Sequence, residues 1–313
     1  MQELIEGLRV QFCNKILDEL CDAAEFKIKR ERFAFSTDSF VVKPLFFPGG
    51  DIGKLAVCGT VNDISMKGAR PLFMSLAFII EEGFEFSQLE RIVRSIKQEA
   101  ARADISVVTG DTKVVERGAA DKLFINTAGI GVINYPRRLG PRAGAGDVIV
   151  INGGIAEHGM AVLNAREDLK FASNIKSDCR SLNFVVRRCL AASKEISIMR
   201  DPTRGGLAGA LNEIAYSSNL GIEIYEEALP IKPGVEKLCE ILGFDPLYVA
   251  NEGKFVCFVQ AKDGPKIKRA IGKEARIIGR VTTAHRKEVY LRTKIGSSRI
   301  LPIPESDQLP RIC

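Results

Sequence analysis

Histidine is nearly missing from this sequence. His158 and His285 are the two in 313 residues. No two cysteines are spaced Cys-x-x-Cys, so a structural zinc site is not expected. Long apolar runs are missing as well; the longest, near LFMSLAFII, is too short to span a bilayer. The opening MQELIEGLRV carries acids and no apolar stretch, which argues against a signal peptide. No basic run interleaves with aromatics. The net charge of +6 is a small difference between 45 basic and 39 acidic residues. That is a mixed surface, so neither nucleic acid nor a membrane is expected as a partner. The familiar phosphate loops are also missing. GGDIGKL resembles the end of a P-loop, but Pro48 takes the first glycine position and Leu55 replaces Ser/Thr. TAGIGVIN and RAGAGDVI both fail the GxGxxG pattern. Any nucleotide site must be of another type. A prenylation signal needs its cysteine where Pro310 stands, which excludes that anchor.

What is present reads as a globular protein. Hydrophobic residues make up 46% and charged residues 27%. The length favours two domains. The 8 cysteines are scattered, which with no secretory signal points to reduced thiols in a cytoplasmic protein. Cys58, Cys239 and Cys257 lie in apolar runs and read as small core residues. Cys313 differs. It is the last residue of ILPIPESDQLPRIC, a proline-studded stretch in which nothing nearby would bury it.

Apolar periodicity predicts a helix over residues 1–24, from Leu4, Ile5, Leu8, Phe12, Ile16, Leu17 and Leu20. RFAFSTDSFVV reads as a strand, KPLFFPGGD as a loop and GKLAVCGTVNDISMKGA as a helix. PLFMSLAFII is a strand, SQLERIVRSIKQEAARA an amphipathic helix, and ISVVTGDTKVV and KLFINTAGIGVI strands. NYPRRLGPRAGAGD then breaks the pattern, and a domain boundary is placed there. Beyond it come the strand DVIVIN, the turn-and-helix GGIAEHGMAVL, the turn RDPTRGG opening the helix LAGALNEIAYSS, and strands in GIEIYEE, KFVCFVQ and ARIIGRV. The fold class is α/β (α+β). The expected division is 1–134, 135–299, and an extended flexible tail over 300–313.

Three aspartates stand out: Asp38 in STDSF, Asp63 in VNDIS and Asp111 in TGDTK. Carboxylates at element ends suit magnesium, which shares its shell with water and phosphates. Spacing alone favours, for any single one of them, the cap of a helix or turn that aspartate routinely makes. Lys113 could steady a phosphate or be a solvated lysine. In RDPTRGG, Pro202 fixes a turn, Gly205 and Gly206 allow close backbone approach, and Arg204 adds donors at a helix N-terminus, which suits an anion or equally a glycine turn chosen for packing. His158 reads as a satisfied structural histidine. Glu252, among apolar residues in LYVANEGKFVCFV, fits a base of raised pKa or an ordinary turn residue.

Together STDSFVVKPLFFPGGDIGKLAVCGTVND, VVTGDTKVVERG, MRDPTRGGLAGALNEIA, PLYVANEGKFV and the terminal PRIC resemble the HypE family of hydrogenase maturation factors. That family belongs to the aminoimidazole ribotide synthetase and selenophosphate synthetase superfamily. The resemblance runs over nearly the whole chain, and PRIC is its most specific part. It implies a two-domain aminoimidazole ribotide synthetase-like fold whose N-terminal halves pair in a homodimer. It implies ATP and Mg2+ held by Asp38, Asp63 and Asp111, with Asn62, Thr112, Asp201, Thr203 and Arg204 also at the nucleotide. Cys313 would carry a carbamoyl group placed there by HypF. ATP would drive its dehydration to a thiocyanate, with Lys113 and Glu252 acting on the carboxamide. The cyano group would pass to iron in a HypC–HypD complex, for [NiFe] hydrogenase. Relatives open with a histidine- and glycine-rich segment before the MQELI-like helix, a segment suited to covering phosphates. The competing expectations are a sister phosphotransferase, or an assembly protein whose thiol forms mixed disulfides without any nucleotide.

Overall fold

The structure is a computed structural model, described here for residues 10–12, 14–166, 174–303, 309 and 311–313. Its first half is built on one five-stranded sheet. Strands β1 (Ala24–Ile28), β2 (Glu31–Phe40), β5 (Ala69–Glu81), β6 (Ser106–Val115) and β7 (Leu123–Ile133) run in the order β1-β2-β7-β5-β6. Small strands β3 (Phe46–Phe47) and β4 (Gly50–Asp51) form a separate hairpin.

Helix α1 (Ile52–Met66) packs on the inner face of this sheet, and α2 (Phe86–Ala103) packs on α1. Being covered from both sides, α1 is buried around almost its whole circumference, with Thr60, Asn62 and Ser65 among its buried residues. It starts where the Asp51 carboxylate accepts the Lys54 amide at 2.9 Å, an N-cap. Helix α2 covers α1 with one face, through Ile92, Ile96, Ala100 and Ala103. Its outer face meets water, hence its amphipathic spacing. Gly59 of α1 has no side chain because Phe40 of β2 occupies that space; a Cβ would sit 2.9 Å from its ring.

The second half carries a seven-stranded sheet. Its strands are β8 (Asp147–Ile151), β9 (Ile196–Arg200), β10 (Gly221–Tyr225), β11 (Val256–Gln260), β12 (Arg276–Thr282), β13 (Val289–Arg292) and β14 (Ser298–Ile300). They run in the order β14-β13-β10-β12-β8-β11-β9. Helices α3 (Glu157–Arg166), α4 (Asn183–Ala192), α5 (Gly206–Ser218), α6 (Pro233–Leu242) and α7 (Gly264–Ile271) complete it. Helix α5 shares one apolar cluster with the sheet through Leu207, Leu211 and Ile214, against Ile149 and Phe258. Residues of α4 and α7, with Phe255 and Cys257, make another cluster that also takes Ile64, Met66 and Ile133 from the first half. The two halves therefore share core. No described helix is long and apolar enough to cross a membrane. The seven described cysteines are all free.

Two expectations need correction. The helix over 1–24 is not continuous where it is described. Val10 and Gln11 are helical, Leu17–Glu19 forms a short 3-10 turn, and Leu20 is left-handed; residues 1–9 and 13 lie outside the described set. Val10, Phe12, Ile16, Leu17 and Leu20 are exposed, so their helical spacing has no surface to pack against. At the other end, Leu301 is fully buried and its amide donates to Val289 O at 2.8 Å, so the second body extends past 299.

Candidate active site

Five carboxylates from distant parts of the chain converge at the seam between the halves. Asp22 precedes β1. Asp38 lies on β2, with its carboxylate beside Gly59 of α1. Asp63 is one turn further along α1, and its carboxylate accepts the Ser36 hydroxyl at 2.6 Å. Asp201 follows β9, and Glu252 lies on the loop before β11.

Their environment opposes ionisation. Burial, then the charges of Asp201, Asp22 and Asp38, push Asp63 well above the usual carboxylate range. Burial and Asp22 do the same to Asp201, against the pull of Arg200. Asp22 rises to about 6 through burial, although Arg200 pairs with it at 2.9 Å. Here the cost of desolvation outweighs the ion pair. Glu252, 3% exposed, is raised by burial and then by Asp201, Asp38 and Asp178. Asp38 is raised less uniformly: burial lifts it, while Arg204, 3.8 Å away, and the Ser39 amide oppose the rise. Asp201 Oδ2 is buried and has no hydrogen-bond partner among the described residues. Such a set of mutually repelling acids is suited to a cation brought from outside.

The loops beneath are pinned by amides. Asn62 is spent on backbone: its amide donates to Arg180 O at 3.1 Å and Glu252 O at 3.0 Å, and its oxygen accepts the Leu182 amide at 2.8 Å. It ties α1 to two loops of the second half, so in this chain it positions the site. Asn251 joins three turns. It accepts the Ala156 amide of GGIAEHG at 2.8 Å and donates to Pro202 O of RDPTRGG at 3.3 Å, from its own place in the NEG turn. Asp178 accepts the amides of Glu252 and Gly253, both at 3.2 Å, and Lys254 lies between Asp178 and Glu157 at 3.4 and 3.3 Å. A buried charge chain thus holds the loop of Glu252. In RDPTRGG, Gly206 sits at φ 62°, where a Cβ would fall 2.6 Å from Leu247 O. Thr203 is half-buried in that turn, and Arg204 is exposed at the mouth.

Asp111, Thr112 and Lys113 lie elsewhere. They occupy β6, exposed at the edge of the sheet. Asp111 aligns with Ala77, Asn126 and Ser39, so three interstrand steps, about 14 Å, separate it from the row of Asp38. Lys113 and the Thr112 amide hold its carboxyl below the ordinary range. Asp38, Asp63 and Asp111 therefore do not meet within one chain. Among the described residues no group of three His, Cys, Asp or Glu side chains is placed to hold a metal.

The end of the chain is docked, contrary to the expectation that nothing buries it. Ile312 is 4% exposed in the core cluster of α1 and β2. Cys313 is half-buried against the same cluster, as is Ala250, two residues before Glu252. Val41 and Lys43 donate their amides to Cys313 O at 3.1 Å and Arg311 O at 3.2 Å, an antiparallel run alongside the end of β2. Cys313 thus stands level with Val41, three residues or about 10 Å along the strand from Asp38. His158 is satisfied, as its structural reading requires, but one partner is the tail: Nδ1 meets Ser177 Oγ at 2.8 Å and Nε2 meets Ile312 O at 3.0 Å. Burial lowers its pKa, so Nε2 is read as the donor of a neutral ring.

Asp22, Asp178, Lys254 and Asn251 escaped the sequence reading. Asp178 lies in the polar stretch SDCRS, which looks like any loop. Asn251 alone carried a signal, as part of the Asn-Glu-Gly turn.

A buried helix under a five-stranded sheet, a second seven-stranded body and an acidic seam define a class. Residues 21–133 match the AIR synthase related protein N-terminal domain, and residues 144–292 match its C-terminal domain. Within that class the chain belongs to the HypE family of carbamoyl dehydratases. It is 47% identical over 321 residues to Carbamoyl dehydratase HypE of Bradyrhizobium diazoefficiens, covering 100% of this chain and 93% of that protein. A solved HypE–HypF complex superposes with a TM-score of 0.92 at 46% identity, covering 96% of this chain and 99% of that one. HypE solved in complex with ATP gives 0.88 at 45% identity, covering 100% and 96%.

Proposed function

We propose that this chain uses ATP to dehydrate a carbamoyl group on the thiol of Cys313 to a thiocyanate, a source of cyanide ligands for the iron of [NiFe] hydrogenase. The observation that carries this reading is the docking of Arg311–Cys313 along β2, toward the acids of the seam. The relatives named above support it: one is a carbamoyl dehydratase HypE, one is a HypE solved with ATP and one is a HypE solved with HypF. HypF is thus the proposed donor of the carbamoyl group and a HypC–HypD complex the acceptor, in the cytoplasm, where thiols stay reduced.

Asp38, Asp63 and Asp201 fit Mg2+ that arrives with a nucleotide. The acids repel one another, one oxygen of Asp201 lacks a partner among the described residues, and Asp38 is open at the mouth. Magnesium needs one or two carboxylates here, the rest of its shell being phosphate and water. When bound, it would neutralise phosphate charge. Thr203 and Arg204 stand at the same mouth. Asp111, Thr112 and Lys113 would act from a second copy, since β6 is an exposed edge with Val107, Val108 and Val114 uncovered. This proposal includes a homodimer formed through that sheet. It also includes the division at 134 and near 300, with the Cys313 thiol leaving its docked position to meet its partners.

The chemistry follows from the charges. A carboxamide oxygen is a poor leaving group; accepting the γ-phosphate makes it a good one. The carbon–oxygen bond breaks as phosphate leaves, and both N–H protons must depart to leave the carbon–nitrogen triple bond. Glu252, with its pKa raised, is matched to taking a proton from that nitrogen. Asp178 and Asn62 hold it in place. The test is the mass of the C-terminal peptide after incubation with HypF, carbamoyl phosphate and ATP. A carbamoyl adduct on Cys313 that loses one water only with hydrolysable ATP is the expected result. An unmodified Cys313 would overturn the reading.

A further inference from the structure

The groove that holds the last three residues reads them in two ways. Most of its contacts are to main chain and suit any sequence. Lys43 N and Arg166 Nη2 both donate to Arg311 O, at 3.2 and 2.7 Å. His158 donates to Ile312 O at 3.0 Å and Val41 N to Cys313 O at 3.1 Å. Side chains are read at Ile312, which is buried in the core, and at Arg311. The Arg311 guanidinium donates Nη1 to Asp121 Oδ2 at 2.7 Å and Nε to Val41 O at 3.1 Å. The planar fork of arginine fits these two acceptors; lysine would meet one.

Asp121 belongs to the turn between β6 and β7. Glu81 accepts the Gly118 amide at 2.6 Å and the Lys122 amide at 2.8 Å, which shapes that turn independently of the tail. Lys43 shares Asp121 Oδ2 at 3.0 Å. Asp121 takes no part in the acid cluster.

We propose that Asp121 and the Val41 carbonyl form a subsite selecting arginine two residues before the thiol. The groove is then a peptide site for the pattern Arg–apolar–Cys, and the Arg311–Asp121 pair is the latch that sets how long Cys313 stays docked. If the carbamoyl reading is right, this latch governs release of the thiol to its partners. The inference itself does not depend on that reading, and its test uses neither ATP nor HypF.

The experiment measures alkylation of Cys313 by N-ethylmaleimide in the full chain, read by mass on the peptide that Lys-C releases after Lys294. A charge-assisted pair about one-third exposed is modest in strength, so Asp121→Asn and Arg311→Gln should each speed alkylation by about 3- to 10-fold. The double variant should be no faster than either single one. Arg311→Lys should lie between. Added salt should speed the wild type and leave the variants unchanged, because it screens the pair. The free peptide Leu-Pro-Arg-Ile-Ser should displace the tail and expose Cys313, whereas Leu-Pro-Glu-Ile-Ser should not. Unchanged alkylation in Arg311→Gln, additive effects in the double variant, or equal action of both peptides would each overturn the proposal. Arg311→Gln alters only the docked tripeptide, so the result stands even if Asp121→Asn folds poorly.

Discussion

Two sets of aspartates belong to the same half of this molecule and behave oppositely. Asp22, Asp38 and Asp63 lie at the seam, against α1 and the second body, and their protons are held more tightly than usual. Asp111 and Asp121 lie at the outer edge, paired with Lys113 and Arg311, and hold theirs less tightly. Residue type is the same; solvent and neighbours differ. At the seam burial is the first cause of every shift. At the edge water screens what little repulsion exists, and a nearby cation decides the sign. The seam is therefore a place where charge is stored at a cost, as in sites that await a counter-ion. The edge is a place where charge makes contacts that form and break readily.

The largest expected effect is at the seam. Glu252→Gln should keep the fold yet slow dehydration by at least about 100-fold, the usual contribution of a general base. Normal turnover in single-cycle mass measurements would remove Glu252 from the chemistry. Next comes the pH dependence of stability. A carboxyl whose folded pKa is raised binds its proton better folded than unfolded. Its stabilising contribution is complete below the unfolded value of 3.8 and fades as pH rises through the folded value. For Asp22 that window runs up to about 6, and the loss on reaching neutral pH is about 3 kcal/mol. Denaturant melts without nucleotide should therefore show stability falling between pH 4 and 7; a rise over that range would break the comparison.

A smaller effect of the same origin is expected for Asp201→Asn. Removing one buried like charge should stabilise the protein by about 1–2 kcal/mol near neutral pH, and much less at pH 4, where the acid is already neutral. Equal stabilisation at both pH values would point to packing instead of charge. The smallest effect belongs to the edge. Asp111→Asn should leave the melting temperature of a single chain unchanged, because its carboxylate is exposed and its lysine partner is too. A clear drop at concentrations where chains associate, and none on dilution, would sharpen the picture by placing Asp111 in a contact between copies.

Much of this was legible in the sequence, and the limits are instructive. The strand carrying Asp38, the helix carrying Asp63 and the RDPTRGG turn all stand where their local patterns place them. The first helix failed for the reason that periodicity describes a face and not what covers it. Cys313 failed in the opposite sense. Prolines argued for a free tail, yet Ile312 found a core and three carbonyls found donors. Asp178 and Lys254 could not be read at all, because a buried charge chain looks in sequence like a polar loop.

By itself the sequence determined most element types beyond the first twenty-odd residues, the two-body organisation and the chemical groups on hand: acids after strands, a thiol at the end, glycines at turns. These depend on chemistry within a few residues, where backbone sterics and apolar spacing act. Tertiary structure alone decided which acids meet. Residues 22, 38, 63, 201 and 252 are far apart along the chain, and closing those loops depends on the packing of two sheets around shared helices. It also decided their protonation, since desolvation belongs to a place in the fold and not to a residue type. For the same reason the docking of Arg311–Cys313 was invisible beforehand: its partners, Val41, Asp121, His158 and Arg166, become a groove only when both halves are in place.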